Sequence, residues 1–243
     1  MTKQRWPGET QQIENKAWQV LQRFLEQFVV NGLTIPSIPP VPVQDIAQLL
    51  AGLAVVSVSN LQHKGQRLSG LLQPDIHLIS CAAEDIPARQ TFSIAHELGH
   101  FFLHYLALIT YASQPTLFPL EDFPNKEHSE EQNYYRCSGH DISMAPHKNS
   151  FGSNEQADLL RSIRAEQLRT KREREANQFA SALLMPIPYV ERLIQEGIRS
   201  PRHLAEQLGV SPLAAEIRLV QLGYQNGLER DQHPADPIQG SFS

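Results

Sequence analysis

The stretch that decides the fold runs from Thr91 to His104 and reads T-F-S-I-A-H-E-L-G-H-F-F-L-H. It belongs to a predicted helix from Ala88 to about Leu108 that is apolar on nearly every face, so we expect this helix to be buried inside a domain. Histidine and glutamate side chains on a buried helix need compensation for their lost hydration. A bound metal ion supplies that compensation, so these polar residues indicate a metal site.

Three residues within this stretch, His96, Glu97 and His100, form the pattern H-E-x-x-H. Positions four apart on a helix share a face, so both imidazoles can reach one divalent cation. Glu97 lies beside that site, where a carboxylate can act as a general base. The pattern predicts a zinc (Zn2+) hydrolase. The competing interpretation is a pair of hydrogen-bonded core histidines with a solvated glutamate.

A catalytic zinc site normally takes a third protein ligand and keeps one open position. A third histidine after a glycine turn is excluded here, because Leu103 and Leu106 occupy those two positions. His104 lies one further turn along the helix axis, about 6 Å beyond His100. That distance is too long for a shared metal bond, so we interpret His104 as a supporting or structural residue.

The segment E-R-E-A-N-Q-F-A-S-A-L-L-M-P at positions 173–186 offers the third ligand. Helix residues two apart lie on nearly opposite sides, so only one of Glu173 and Glu175 can face the metal. We prefer Glu173, because small alanines on its face allow a close approach to the histidine helix. Asn177 follows four residues later. In gluzincins, whose third zinc ligand is a glutamate on a separate helix, an acid or amide at that position orients the first histidine. Glu175 is the alternative, and a solvated charge run is the competing interpretation for both.

The two segments R-Q-T-F-S-I-A-H-E-L-G-H-F-F-L-H (89–104) and 173–186 together resemble the ImmA/IrrE family of bacterial and phage metallo-endopeptidases. The likeness covers most of residues 43–224 and implies an α+β, minimal zincin-like fold. It also implies a protein substrate, namely a transcriptional repressor with a helix-turn-helix or an antitoxin-like regulator.

Carried over by position, the resemblance makes His96, His100 and Glu173 the zinc ligands and Glu97 the catalytic base. The chain departs from the family in the gap of seventy-three positions between His100 and Glu173, which is longer than we expect.

The domain organisation follows from shifts in composition along the chain. We predict an N-terminal tail and helix (1–34), a zincin-like metallopeptidase domain (35–190), a C-terminal helical segment (191–227) and a disordered tail (228–243). A loop insertion at 110–153 interrupts the domain, because that stretch is rich in prolines and acids and has no sustained period.

The predicted sheet is small and mainly antiparallel. Its strands fall near Leu53–Val58, Arg67–Leu72 and Ile76–Ser80, with a turn at Lys64-Gly65 between the first two. An extended substrate could pair with the strand at Ile76–Ser80, since pairing with a sheet edge holds a peptide straight.

Charge and cysteine content limit the classes of function. The net charge of -5 and pI near 6.1 give no general attraction to nucleic acid or anionic lipid. The two cysteines, Cys81 and Cys137, have no C-x-x-C partner, which argues against a thiolate zinc site or a disulfide framework. The sequence starts without a signal peptide and contains no membrane-length apolar run, so we predict a cytoplasmic protein.

A rival interpretation rests on the segment L-A-E-Q-L-G-V-S-P-L-A-A-E-I-R-L-V-Q-L-G (204–223), which fits a helix-turn-helix. It would make the chain a DNA-binding protein, or one that holds regulators without cutting them. The second helix is expected to expose Glu216, Gln221 and only Arg218 as a base, which is a poor match to DNA phosphates. We therefore favour a packed helical pair that completes the enzyme.

Overall fold

The computed structural model describes residues 8–30, 39–63, 65–106, 135–137 and 153–224. Most of the predicted insertion and the whole of the predicted disordered tail lie outside these ranges. Within the described ranges, no helix is both long enough and apolar enough to cross a membrane.

Seven helices are described. In chain order they are α1 (Gly8–Val30), α2 (Val43–Asp45), α3 (Pro87–His100), α4 (Ser153–Leu184), α5 (Ile187–Gln195), α6 (Pro201–Leu208) and α7 (Pro212–Gln221). Wider, π-type turns continue α2 over Ile46–Leu50 and α3 over Phe101–Tyr105. Pro42 is the N-cap of α2, and Asp45 lies inside the helix.

Six short strands are described. They are β1 (Ala54–Val58), β2 (Gln62–His63), β3 (Gln66–Arg67), β4 (Gly70–Gln73), β5 (Leu78–Ala82) and β6 (Tyr135–Cys137). The strands β2 and β3 form a separate hairpin, in which Gly65 takes a positive φ of 77° that favours glycine. The other four form one sheet in the order β1-β5-β4-β6, with β1 parallel to β5 and the remaining pairs antiparallel.

The prediction that Ile76–Ser80 offers an edge to substrate is wrong. Strand β5 begins only at Leu78 and lies between β1 and β4, so both of its sides are already paired. Ile76 belongs to a short helical turn, and His77 has a left-handed φ of 54°. A sequence alternation shows that a strand exists, but it does not show which strands become its neighbours.

The core forms where the sheet and α1 pack around the pair α3 and α4. Fully buried side chains in it include Phe24, Ile79, Leu98, Phe179 and Leu183. The α+β, zincin-like prediction is therefore confirmed, with a small, mainly antiparallel sheet packed against the H-E-x-x-H helix.

The C-terminal helices α6 and α7 pack on each other across a turn in which Gly209 adopts φ 68°. Arg218 of α7 is fully buried, which contradicts the expectation that it is exposed. Its guanidinium donates to both carboxylate oxygens of Glu14 in α1, at 2.6 and 2.8 Å, and its Nε donates to the Met185 carbonyl at 3.0 Å. This arginine therefore joins the first and last helices and leaves α7 without a basic contact for DNA.

Candidate metal site

Three predicted side chains meet where α3 lies against α4. The Nε2 atoms of His96 and His100 are 3.0 Å apart. The Glu173 carboxylate lies 3.3 Å from His96 Nε2 and 3.5 Å from His100 Nε2. One donor atom from each residue lies within 4.8 Å of the others, and both histidines are buried. The structure thus gathers two imidazole nitrogens and one carboxylate at a single point.

A close approach of the two helices makes this meeting possible. A Cβ atom added to Gly99 would lie 3.0 Å from both Cα and the carbonyl oxygen of Ala176. The backbone of α4 therefore lies directly against α3, one residue before His100 and one turn after Glu173. The small residue on each helix brings the carboxylate within reach of the imidazoles.

Asn177 fixes the ring of His96. Its Oδ1 accepts a hydrogen bond from His96 Nδ1 at 2.9 Å. A proton held at Nδ1 leaves the Nε2 lone pair free to face Glu173, which is the tautomer a metal ligand needs. Asn177 lies one turn beyond Glu173 on α4, so one helix supplies both the carboxylate and the orienting amide.

Glu97 is fully buried, and neither carboxylate oxygen makes a hydrogen bond with the described residues. Burial, reinforced by the negative charge of Glu173, raises the pKa of Glu97 from 4.5 to about 8, against the opposing influence of His96. The nearby Leu72 amide also favours the charged form, although the contact falls outside ordinary hydrogen-bond geometry. A buried carboxylate with this pKa can accept and return a proton near neutral pH.

The charges of the other two groups suit metal binding. Burial alone would raise the pKa of Glu173, but the neighbouring His100 and His96 side chains outweigh it and lower this pKa to about 2. Burial lowers the pKa of His100 below its usual 6.5. At neutral pH the carboxylate is therefore charged and the imidazole is neutral, as metal ligands must be.

The alternatives considered from sequence lie elsewhere. Glu175 lies 3.6 Å from His104 Nε2 and 3.5 Å from Lys171 Nζ, away from the three gathered donors. His104 Nε2 also lies 3.3 Å from the Arg172 carbonyl oxygen and accordingly connects α3 to α4. Burial, followed by the charge of His100, lowers the pKa of His104 to about 4.

Gly70 is a site residue that the sequence reasoning missed. A Cβ atom at this position would lie 2.7 Å from Glu97 Oε1 and 3.3 Å from Ser93 Cβ. The absence of a side chain in β4 therefore gives the Glu97 carboxylate its space. A glycine inside a strand often marks such a close approach, and that signal was present in the sequence.

The donor set fits zinc. Two neutral imidazoles and one carboxylate form the protein half of a four-coordinate catalytic site, with a position left for solvent. Among the described residues, this is the one group of three or more histidine, cysteine, aspartate or glutamate side chains close enough to hold an ion.

Comparison with known families agrees with this geometry. The model of the IrrE N-terminal-like domain, a peptidase family, matches residues 54–133 and 154–220, more than half of the chain. The chain belongs to the ImmA/IrrE family. The matched ranges of this ImmA/IrrE protein include the sheet strands β1, β4 and β5, helix α3, and the part of α4 that carries Glu173 and Asn177.

Similarity to individual proteins is weaker. Among solved structures, the ImmA/IrrE chain is similar to one described as a Mycobacterium tuberculosis transcriptional regulator, with 15% identity and a TM-score of 0.42. The similarity covers 88% of this chain and 52% of that one, so this chain spans about half of that protein's length. A similarity at this level identifies neither fold nor function. No curated protein sequence matches the chain.

Proposed function

We propose that this ImmA/IrrE-family chain is a zinc-dependent endopeptidase that cuts a regulatory protein. The observation that carries the proposal is the convergence of His96, His100 and Glu173 beside the buried carboxylate of Glu97, whose oxygens accept no ordinary hydrogen bond from the described residues. A binding scaffold has no need of that carboxylate, whose burial is costly. Membership of a peptidase family supports the same reaction class.

In this proposal His96, His100 and Glu173 hold the ion. A zinc ion in such a site supplies Lewis acidity, which activates water and polarises a peptide carbonyl. Asn177 keeps the His96 ring in the tautomer that presents Nε2. The packing of Gly99 on Ala176 keeps the two helices at the spacing that the three ligands need.

Glu97 moves the proton. It takes a proton as the nucleophile forms and donates it to the leaving amine, so the same carboxylate acts first as base and then as acid. Burial raises the pKa of the metal-free carboxylate to about 8. The charge of a bound ion would favour the ionised form, which is the form that accepts a proton. Its carboxylate lies between α3 and β4, beside Gly70.

The proposed substrate is a helix-turn-helix repressor or an antitoxin-like regulator, which is what the family resemblance implies. Direct DNA binding is not proposed, because the sole basic residue of α7, Arg218, is buried against Glu14.

The test compares zinc-loaded wild type with Glu97→Gln, a variant that keeps the size of the side chain but not its basicity. Glu97→Gln serves first as a trap that retains bound regulators, which are then identified by mass spectrometry. Wild type should cut a trapped regulator and produce a new N-terminus, whereas the variant should bind both zinc and regulator without cutting. Equal cleavage by the two proteins would refute the proposal.

A further inference from the structure

Strand β6 lies on the outer side of β4. The two strands are antiparallel, with Gly70 opposite Cys137, Leu71 opposite Arg136 and Leu72 opposite Tyr135. The inner side of β4 is paired with β5. Both sides of β4 are therefore taken by the chain's own backbone, and the outer partner comes from the middle of the insertion at 110–153.

Strand β4 is the strand that borders Glu97. A Cβ atom on Gly70 would touch the Glu97 carboxylate at 2.7 Å, and β4 packs directly against α3. Strand β6 also contacts α3, so it lies beside the helix that carries His96, Glu97 and His100. A peptide paired with β4 at Gly70 would follow the path that β6 now follows.

A substrate segment cannot take that path while β6 is present. Neighbouring strands lie about 4.8 Å apart, so a segment added outside β6 would lie about another 4.8 Å farther from β4 and from Glu97. Backbone pairing with β4 itself is needed to hold a peptide beside the carboxylate. The internal strand and an external peptide therefore compete for the same row of backbone groups.

We propose that β6 is a built-in occupant of the peptide-binding edge of β4, and that an extended polypeptide must displace it in order to bind. This proposal rests on the proposed peptidase function, because only a peptidase would bind its substrate along that edge. It gives the insertion a role: tethered to the same chain, β6 is present at high effective concentration and raises the threshold for outside peptides. Three pairs of residues join β6 to β4, so β6 is short enough to exchange with an outside peptide.

The probe is a fluorescein-labelled synthetic peptide of residues 131–141, carrying Cys137→Ser so that it does not oxidise. Its binding to the full chain is followed by fluorescence anisotropy in the Glu97→Gln background, where no cleavage competes. Successive residues of an antiparallel strand point their N–H groups in opposite directions. One of Tyr135→Pro and Arg136→Pro therefore removes a donor to β4, and the other removes a donor that points away.

We expect one proline variant to bind the labelled peptide about tenfold or more tightly than the parent, because the competing internal strand is released. The other proline variant is the matched control and should bind like the parent. Circular dichroism establishes that all three proteins are equally folded.

Equal affinities among the three folded proteins, or no binding to any of them, would overturn the proposal. So would the finding, by mass spectrometry, that zinc-loaded wild type cuts itself within residues 135–137, since β6 would then be a substrate. These outcomes concern binding at β4, whereas failure of the peptidase proposal would appear as equal cleavage of trapped regulators by wild type and Glu97→Gln.

Discussion

Glu97 lies in surroundings that differ strongly from water. Its carboxylate is fully buried without a hydrogen bond from the described residues, and burial raises its pKa to about 8. In an unfolded chain the same group titrates near 4.5. Between these two values the native, metal-free protein binds more protons than the unfolded chain, so the contribution of Glu97 to stability falls as the pH rises.

The first prediction therefore concerns the metal-free protein. Glu97→Gln removes the buried charge, so in the presence of a chelator the variant should unfold at a temperature higher than wild type by roughly 2–12 °C near pH 8. The difference should shrink as the pH falls towards 4.5, where wild-type Glu97 is protonated. Differential scanning calorimetry at the two pH values measures it. A wild type that is equally stable at pH 8 would show that Glu97 is not held as a buried charge.

Much of the candidate metal site could be predicted from the spacing of its residues in the sequence. The i, i+4 relation of His96 and His100 puts both rings on one face, and that geometry is fixed by the helix alone. The preference for Glu173 over Glu175 also followed from helix faces, and the structure gathers Glu173 with the two histidines. Gly70 could not be assigned in this way, because its role depends on a strand that approaches α3 from elsewhere in the chain.

Among the contacts between elements, the packing of α3 on α4 depends on Gly99. The second prediction is that Gly99→Ala forces the helices apart, because its Cβ would meet the Ala176 backbone at 3.0 Å. Overpacking of this kind costs about 1–3 kcal/mol, and zinc affinity should fall because Glu173 moves away from the histidines. Urea unfolding and a zinc competition titration measure the two effects.

Gly8→Ala is the matched control for Gly99→Ala, because no heavy atom lies within 4 Å of the position of its Cβ. It should leave both stability and zinc affinity close to wild type. If Gly99→Ala bound zinc as tightly as Gly8→Ala, the close approach at Gly99 would not be what positions Glu173.

The third prediction concerns the contact of β4 with α3. Gly70→Ala would place a methyl group 2.7 Å from the Glu97 carboxylate oxygen and displace it. We expect kcat to fall about 10- to 100-fold while one zinc remains bound, because Glu97 is not a ligand. Steady-state cleavage of a trapped regulator, together with metal analysis, measures both quantities. An unchanged kcat would show that Glu97 does not need its present position.

The bounds of elements with a strong local pattern could be predicted from the sequence, but the pairing of the strands could not. The helix predicted from Ala88 begins at Pro87 and continues through wider turns to Tyr105, close to its expected end near Leu108. The order β1-β5-β4-β6 depends on contacts between distant segments, which a local alternation does not contain. That is why the strand predicted at Ile76–Ser80 was expected at an edge, whereas the observed strand, Leu78–Ala82, lies inside the sheet.

Across the whole molecule, a buried ion pair joins α1 to α7, the first and last of the described helices. Arg218 and Glu14 are 204 positions apart, and their bidentate pairing is enclosed by the core. No sequence pattern shows a partner at that separation, so Arg218 was expected to be exposed. The structure instead makes α7 a packed part of the fold.

The fourth prediction follows from this burial. Arg218→Met alone should lower the free energy of unfolding by about 3–5 kcal/mol, because it leaves the Glu14 carboxylate buried without its partner. The double variant Glu14→Leu with Arg218→Met should recover most of that loss, since no unpaired charge remains. Urea unfolding of wild type, both single variants and the double variant measures the coupling. Additive losses in the double variant would contradict it.

The central claim is that His96, His100 and Glu173 hold one zinc ion, and a zinc competition titration of two glutamate variants tests it most directly. Glu173→Gln removes the carboxylate that lies 3.3 and 3.5 Å from the histidines, whereas Glu175→Gln changes the neighbouring glutamate that lies beside His104 and Lys171. We predict one tightly bound zinc per chain in wild type and Glu175→Gln, and at least about a tenfold loss of affinity in Glu173→Gln. Unchanged zinc affinity in Glu173→Gln, or a loss confined to Glu175→Gln, would contradict the account.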